Sequence, residues 1–435
     1  MSVAAVPQGL RTLLSPLTGL VASLDQRLLE PADALLHAAW CELPQGAPGD
    51  AALVQAGGGW SVIAAAAQAA ALGEAVERSC AARSDEEQLV WATATELGEE
   101  ALDPARIRLF RPEQIPGSGL VQATPDTPLR WLRGVRLPDR QPTWLPAQLV
   151  QLAPLPLEPT EAPLTLPTSN GLACGTSFER AALSALLELV ERDAFMLTWA
   201  SRLSLPRLRW DGVPELERFA RERLLPSGLQ HVAVDLSAFL QVPVVLGIVT
   251  PPPGVSGPTA VGAAASSTPA DAVRRALAEA HAAFAAARAF TRQRGDRRFA
   301  ADGSDLEAFD DRVLFYADPR RAAALAVLTA SPERRHVGDL PSLDGDDPAG
   351  LLASLCARIA ARGGTAYVAD LTSIDIADAG LRVVRALCPE LCPLDAAHGL
   401  RFLGVPRLLT GASDAGLLPR PLCLEEVNPD PHPFP

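Results

Sequence analysis

Leu186-Leu187-Glu188-Leu189-Val190-Glu191-Arg192 is matched at five of seven positions by Leu72-Gly73-Glu74-Ala75-Val76-Glu77-Arg78. Each copy closes an alanine- and leucine-rich run whose apolar spacing predicts a helix, over 61–82 and 178–200. At about 100° per residue, Glu188 and Glu191 stand about 60° apart on the wheel with Ser184 between them, while Leu183, Leu186, Leu187, Val190 and Ala194 gather on the far side. Two helices that each bury one face and present two carboxylates on the other predict a molecule built of two related halves.

Outward from these helices the pattern alternates. Helical periodicity recurs at 214–223, 269–293 and 347–362, and short apolar β-like runs lie at 232–236, 242–249, 365–371 and 381–387. Interspersed strands and helices predict a mixed α/β or α+β fold. The first 54 residues read as a short N-terminal extension with one helical stretch at 17–40, and 55–435 as the main domain. Prolines crowd 140–168 and 251–258, where they predict ordered connections or sheet edges instead of helix interiors.

Composition narrows the chemistry. The 435 residues are 48% hydrophobic and 20% charged, enough for a packed core and too apolar for disorder. There is no lysine, so all 38 basic residues are arginine and lysine chemistry is excluded. A net charge of −13 opposes attraction to nucleic acid or an anionic membrane. The start, MSVAAVPQGL, has no basic segment before an apolar one, and the apolar run at 62–72 is too short to span a bilayer, so a cytoplasmic protein is expected. Seven cysteines are scattered without paired C-x2-C spacing and read as free thiols. Cys388 and Cys392, with His398 as the one nearby partner, are broken up by Pro389 and Pro393. Cys174 has no histidine in its sequence neighbourhood to activate it.

Four carboxylates that converge repel one another and call for cations. Hard oxygen ligands suit Mg²⁺, and a nucleotide triphosphate held through it explains how an acidic protein could grip a polyanion. The bland alternative is a solvated helix face with i,i+3 and i,i+4 charges. Before the second helix, Thr168-Ser169-Asn170-Gly171-Leu172-Ala173-Cys174-Gly175-Thr176-Ser177 supplies small and hydroxylated residues whose backbone N–H groups could cradle phosphate, with Ser177 as N-cap. One of the chain's two asparagines, Asn170, falls there; the other, Asn428, opens the tail Asn428-Pro429-Asp430-Pro431-His432-Pro433-Phe434-Pro435. Alternating prolines favour a stiff extended tail.

These residues resemble the YcaO superfamily, and within it the azoline-forming cyclodehydratases that modify ribosomal peptides. The resemblance covers roughly residues 55–435 and rests on Ser169-Asn170-Gly171-Leu172-Ala173, Ser184-x3-Glu188-x2-Glu191-Arg192-Asp193-Ala194, Glu74-x2-Glu77-Arg78, the helix Arg275-Ala276-Leu277-Ala278-Glu279-Ala280 and the proline-rich end. It implies an ATP- and Mg²⁺-dependent reaction in which a Cys, Ser or Thr of a precursor peptide attacks the preceding amide and the amide oxygen leaves as phosphate. It further implies that Glu74, Glu77, Glu188 and Glu191 hold Mg²⁺ and that Ser169, Asn170, Ser184, Arg78, Arg192, Arg275 and Glu279 contact nucleotide. Pro431, Pro433 and Pro435 would then orient substrate or catalytic groups.

The chain departs from the family pattern in places. Within Ala56-Gly57-Gly58-Gly59-Trp60-Ser61, Trp60 stands where the family's glycine-rich loop carries a lysine; Ala282 replaces a glutamine, Arg180 an acidic residue, and Ala70 matches Ser184 of the other half. Arg180 could supply the lost phosphate contact or pair with Glu188. An impaired homologue acting as docking scaffold is the alternative reading. The N-terminal stretch is too short for a leader-binding winged helix, so a separate partner chain is expected for that role, with a homodimer as the symmetric default.

Overall fold

A computed structural model describes residues 6–44, 56–83, 86–152, 161–295, 297–306, 309–395 and 397–434. Its strands form three sheets. In the first, β1 (Ser23–Arg27), β2 (His37–Glu42) and β3 (Ala56–Ser61) make an antiparallel meander, covered by helix α1 (Ala64–Ala81). The helix expected at 17–40 is therefore two strands. Leu17 is exposed, Ala38, Ala39 and Cys41 turn inward and Trp40 and Glu42 outward. Pairing with β3, which sequence periodicity cannot see, decides between strand and helix. This sheet joins the segment read as an extension to the segment read as the body.

The glycine-rich stretch is likewise a strand, because α1 lies directly on it. A Cβ at Gly57 would stand 2.1 Å from the Ala71 carbonyl oxygen and one at Gly59 2.0 Å from that of Ala67. Only glycine lets the two backbones approach this closely.

The chain continues through β4 (Val90–Ala92), β5 (Leu129–Arg136), β6 (Gln141–Pro146) and β7 (Leu172–Gly175) into α2 (Phe178–Ala200). It then makes β8 (Arg207–Arg209), β9 (Gln230–Asp235), β10 (Val244–Thr250) and β11 (Ala260–Ala265), followed by α3 (Pro269–Arg294) and β12 (Arg334–His336). Last come helix Pro348–Ala360, β13 (Tyr367–Asp370), β14 (Arg382–Leu387) and helix Arg407–Asp414. The second sheet runs β4-β5-β13-β14-β7 with the proline-bearing β6 on β5, and the third runs β11-β10-β9-β8-β12. The mixed α/β architecture and the strands expected at 232–236, 242–249, 365–371 and 381–387 are present.

Separate apolar clusters gather around α1, α2 and α3. α2 is the central element: it touches β7, β10, β11, β14 and both C-terminal helices, and it is buried on almost every side. The bland alternative of a solvated carboxylate face on α2 does not hold. Glu191 is only 7% exposed, and of the polar stripe only Arg180 and Ser184 reach solvent fully. With three hydrophobic units packed together, the acidic residues of their helices face a shared interior.

Candidate active site

Three helices deliver the acids. α1 brings Glu74 and Glu77, α2 brings Glu188 and Glu191, and α3 brings Glu279 with Arg275 one turn before it. Their charges are close enough to act on one another. Burial pushes the Glu77 carboxyl up to about 8 despite a hydrogen bond from the Cys174 N–H, with the charges of Glu74 and Glu188 adding to the rise. Burial, opposed by Arg275 and Arg192 and reinforced by Glu188 and Glu74, lifts Glu279 to about 7. Glu191 rises well above the usual carboxylate range through burial and the neighbouring Glu279. Glu188 rises too, because burial outweighs the stabilising charges of Arg192 and Arg385. Such mutual repulsion is what a solvated helix face would not produce.

Each acid is held in place. Glu74 accepts from the Gly58 N–H at 2.6 Å and from Arg78 Nη2 at 2.5 Å, its i,i+4 partner. Glu77 Oε1 accepts from the Cys174 N–H at 2.7 Å, which ties α1 to β7 just before α2 begins. Arg192 Nη2 lies 2.5 Å from Glu188 Oε1, repeating the Glu74–Arg78 spacing one half further on. Glu188 is thus paired with Arg192, and Arg180, one of the two readings left open, stands exposed one turn before Ser184. The Ala265 N–H donates to Glu191 Oε2 at 3.3 Å, and Arg275 Nη1 donates to the Ala265 carbonyl at 3.5 Å, so the end of β11 links α2 to α3.

Ser169-Asn170-Gly171 does not form an open cradle. Asn170 is buried: its Nδ2 donates to Thr168 Oγ1 and the Leu394 carbonyl, and its Oδ1 accepts from Arg192 Nη1 at 2.9 Å. All its polar capacity points into the protein, so it aims Arg192 instead of facing a ligand directly. Gly171 has φ +76°, and a Cβ there would come within 2.6 Å of the Ala386 carbonyl oxygen. Leu172–Gly175 is strand β7, whose Cys174 N–H is spent on Glu77, so the expected run of free phosphate-binding N–H groups is shortened. Ser177 is the N-cap, its hydroxyl accepting from the Arg180 N–H at 3.2 Å.

The tail is docked, not loose. Tyr316 Oη donates to the Pro431 carbonyl at 2.5 Å and Trp199 Nε1 to that of Asp430 at 3.1 Å. Pro431 and Pro433 are buried, and Phe434 packs 4.9 Å from Phe195 with the Arg192 guanidinium 5.9 Å above its ring. The tail therefore reaches the arginine that grips Glu188. Pro435 lies outside the described residues.

A family model described as YcaO cyclodehydratase, ATP- and Mg²⁺-binding, matches residues 58–392. The chain belongs to the YcaO family. Among solved structures, a heterocyclase in complex with substrate and cofactor is similar over 99% of this chain, at 24% identity and a TM-score of 0.79; the match spans 57% of that longer chain. YcaO from Methanopyrus kandleri bound with AMPPCP and Mg²⁺ matches 85% of this chain and 86% of its own, at 21% identity and a TM-score of 0.59. The E. coli microcin synthetase McbBCD complex with pro-MccB17 bound matches 87% and 90%, at 12% identity and a TM-score of 0.55. At such identities the likeness is one of fold. No curated protein matches the chain in sequence.

Other features of this YcaO chain stand apart from the acids. Burial pushes the Cys174 thiol up, which disfavours a thiolate nucleophile. His398 contacts the Asp302 carbonyl at 3.1 Å, and among the described residues no three His, Cys, Asp or Glu side chains are grouped to hold a metal by themselves. No described helix is long and apolar enough to cross a membrane. Sequence reasoning missed Arg385, a buried cation in the middle of β14 whose charge is felt at Glu188. The signal was present: an arginine inside the apolar run Val383-Val384-Arg385-Ala386-Leu387.

Proposed function

We propose that this chain is an ATP- and Mg²⁺-dependent peptide cyclodehydratase subunit working in the cytoplasm, converting Cys, Ser or Thr of a ribosomal precursor peptide to azolines. The observation that carries the reading is that Glu74, Glu77, Glu188, Glu191 and Glu279, delivered by three helices, act on one another through their charges, within a family described as ATP- and Mg²⁺-binding. The donors fit the ion. They are hard carboxylate oxygens, and Mg²⁺ needs only one or two of them per ion, completing its shell with water and phosphate.

Glu74, Glu77, Glu188 and Glu191 would hold Mg²⁺; Ser169, Ser184, Arg78, Arg192, Arg275 and Glu279 would border the nucleotide. Asn170 and the tail, through Pro431, Pro433 and Pro435, would act by positioning Arg192 and the substrate. ATP with Mg²⁺ supplies the phosphoryl group that turns a poor leaving group, the amide oxygen, into phosphate. The substrate's own thiol or hydroxyl adds to the preceding carbonyl, the amide nitrogen and nucleophile each lose a proton, and the products are azoline, ADP and phosphate, with no redox change. The chain's own task is to place and neutralise charge. A peptide substrate and a separate leader-capturing chain are proposed by analogy with the microcin synthetase complex; the free cysteines support a reducing compartment.

Calorimetric titration with ATP and Mg²⁺, repeated on the double variant Glu188→Gln, Glu191→Gln, tests the reading. Saturable binding that the double variant loses while keeping its cooperative unfolding is the expected result. Absence of binding to the unaltered chain at millimolar ATP would hand the case to the docking-scaffold reading.

A further inference from the structure

A cavity of about 730 Å³ including its open mouth lies behind the acidic site, between β14, the segment before β7 and the loop after β14. Leu109, Leu149, Leu166, Leu189, Leu391 and Phe402 contribute its apolar wall, and Leu189 is the neighbour of Glu188 on α2. One charge faces this wall. Arg385, opposite Ala369 of β13 and Leu172 of β7, is 4% exposed. Neither its Nε nor its Nη1 has a hydrogen-bond partner among the described residues. The carboxylate whose charge it feels, Glu188, is already taken by Arg192.

A buried guanidinium with two nitrogens left without partners is costly, and it is relieved by an anion. The other polar groups of the cavity narrow the choice. Gln148 donates to Glu161 and the Ala162 carbonyl and accepts from Leu164, and Asn170 is saturated as described. Arg385 and the hydroxyl proton of Thr168 are thus left to recognise a ligand, with hydrocarbon around them. Phosphate, which spreads charge over several oxygens, needs more donors than that, whereas one carboxylate on an apolar body matches the lining.

We propose that this cavity binds a carboxylate carrying an apolar body, with the carboxylate on Arg385. Two sources share that chemistry: a free aliphatic acid, and the C-terminus of a peptide ending in an apolar residue. The test contains no nucleotide, so it can fail or succeed separately from the cyclodehydratase reading.

The full chain is titrated calorimetrically with isocaproate, N-acetyl-leucyl-leucine, the amide of the latter, and inorganic phosphate. At least one acid binds saturably, the amide binds at least about tenfold more weakly than its acid, and phosphate does not compete. Preference for isocaproate assigns the free acid, and preference for the dipeptide assigns a peptide terminus. R385M loses acid binding while keeping its cooperative unfolding. L166W, which fills the cavity with Arg385 in place, also loses it. Lack of saturable binding by both acids, equal affinity for acid and amide, displacement by phosphate, or unchanged binding in R385M overturns the proposal.

Discussion

Glu191 and Asp193 are two residues apart in one motif and serve different ends. Glu191 faces the other acids, whereas Asp193, fully buried, takes Nε and Nη2 of Arg407 at 2.8 and 2.9 Å and the Cys392 N–H at 2.9 Å. It clamps helix Arg407–Asp414 and the loop after β14 onto α2. Removing one partner of a buried ion pair costs about 3–5 kcal/mol, so Asp193→Ala should lower the urea midpoint by that equivalent. Asn170 offers a finer case. Asn170→Ala leaves the Leu394 carbonyl and Nη1 of Arg192 without their bond to it, a cost of about 1–3 kcal/mol, and should weaken nucleotide binding several-fold by loosening Arg192. Calorimetry and unfolding on the same sample separate the two effects. The sequence marked Asn170 as unusual, but that its amide turns inward depends on residues 224 positions away.

Strand β3 and helix α1 show what decides an element. Three successive glycines read as a loop, yet two of them are the seats of the Ala71 and Ala67 carbonyls. Gly59→Ala should therefore force β3 off α1 and destabilise the protein by at least about 2 kcal/mol. Gly58→Ala is the internal control, because its Cβ would make ordinary contacts at 3.6 Å with Trp40 and 3.9 Å with Glu74. Thermal melts of the pair should differ by several degrees; equal melts would remove close backbone approach as the reason for the strand. Helices α1, α2 and α3 were legible because their apolar spacing is a local property. Strands β1 and β2 were not, since their side-chain pattern fits either element until a partner strand is present.

Across the whole molecule the raised acids make stability depend on pH. Glu77 and Glu279, at about 8 and about 7 in the folded chain against an ordinary 4.5, bind protons that the unfolded chain has released. The folded state thus holds more protons between about 4.5 and 8, and stability falls as pH rises through that window. The melting temperature without ligand should drop by on the order of 5 °C from pH 5 to pH 8. Mg²⁺ with nucleotide should reverse most of the drop and release protons at pH 7, visible as a binding enthalpy that changes with the buffer's ionisation enthalpy. A flat pH profile would separate the acids from one another.

The sequence by itself determined the alternation of helix and strand, the paired acid motifs and membership of a family, because spacing and residue type are carried by neighbours along the chain. Only the tertiary structure decided that Glu191 is buried, that Arg192 rather than Arg180 meets Glu188, that the tail folds back to Arg192, and that Arg385 faces a cavity. Those outcomes rest on contacts between residues far apart in sequence, where packing and the desolvation of charge, not local periodicity, select the partner.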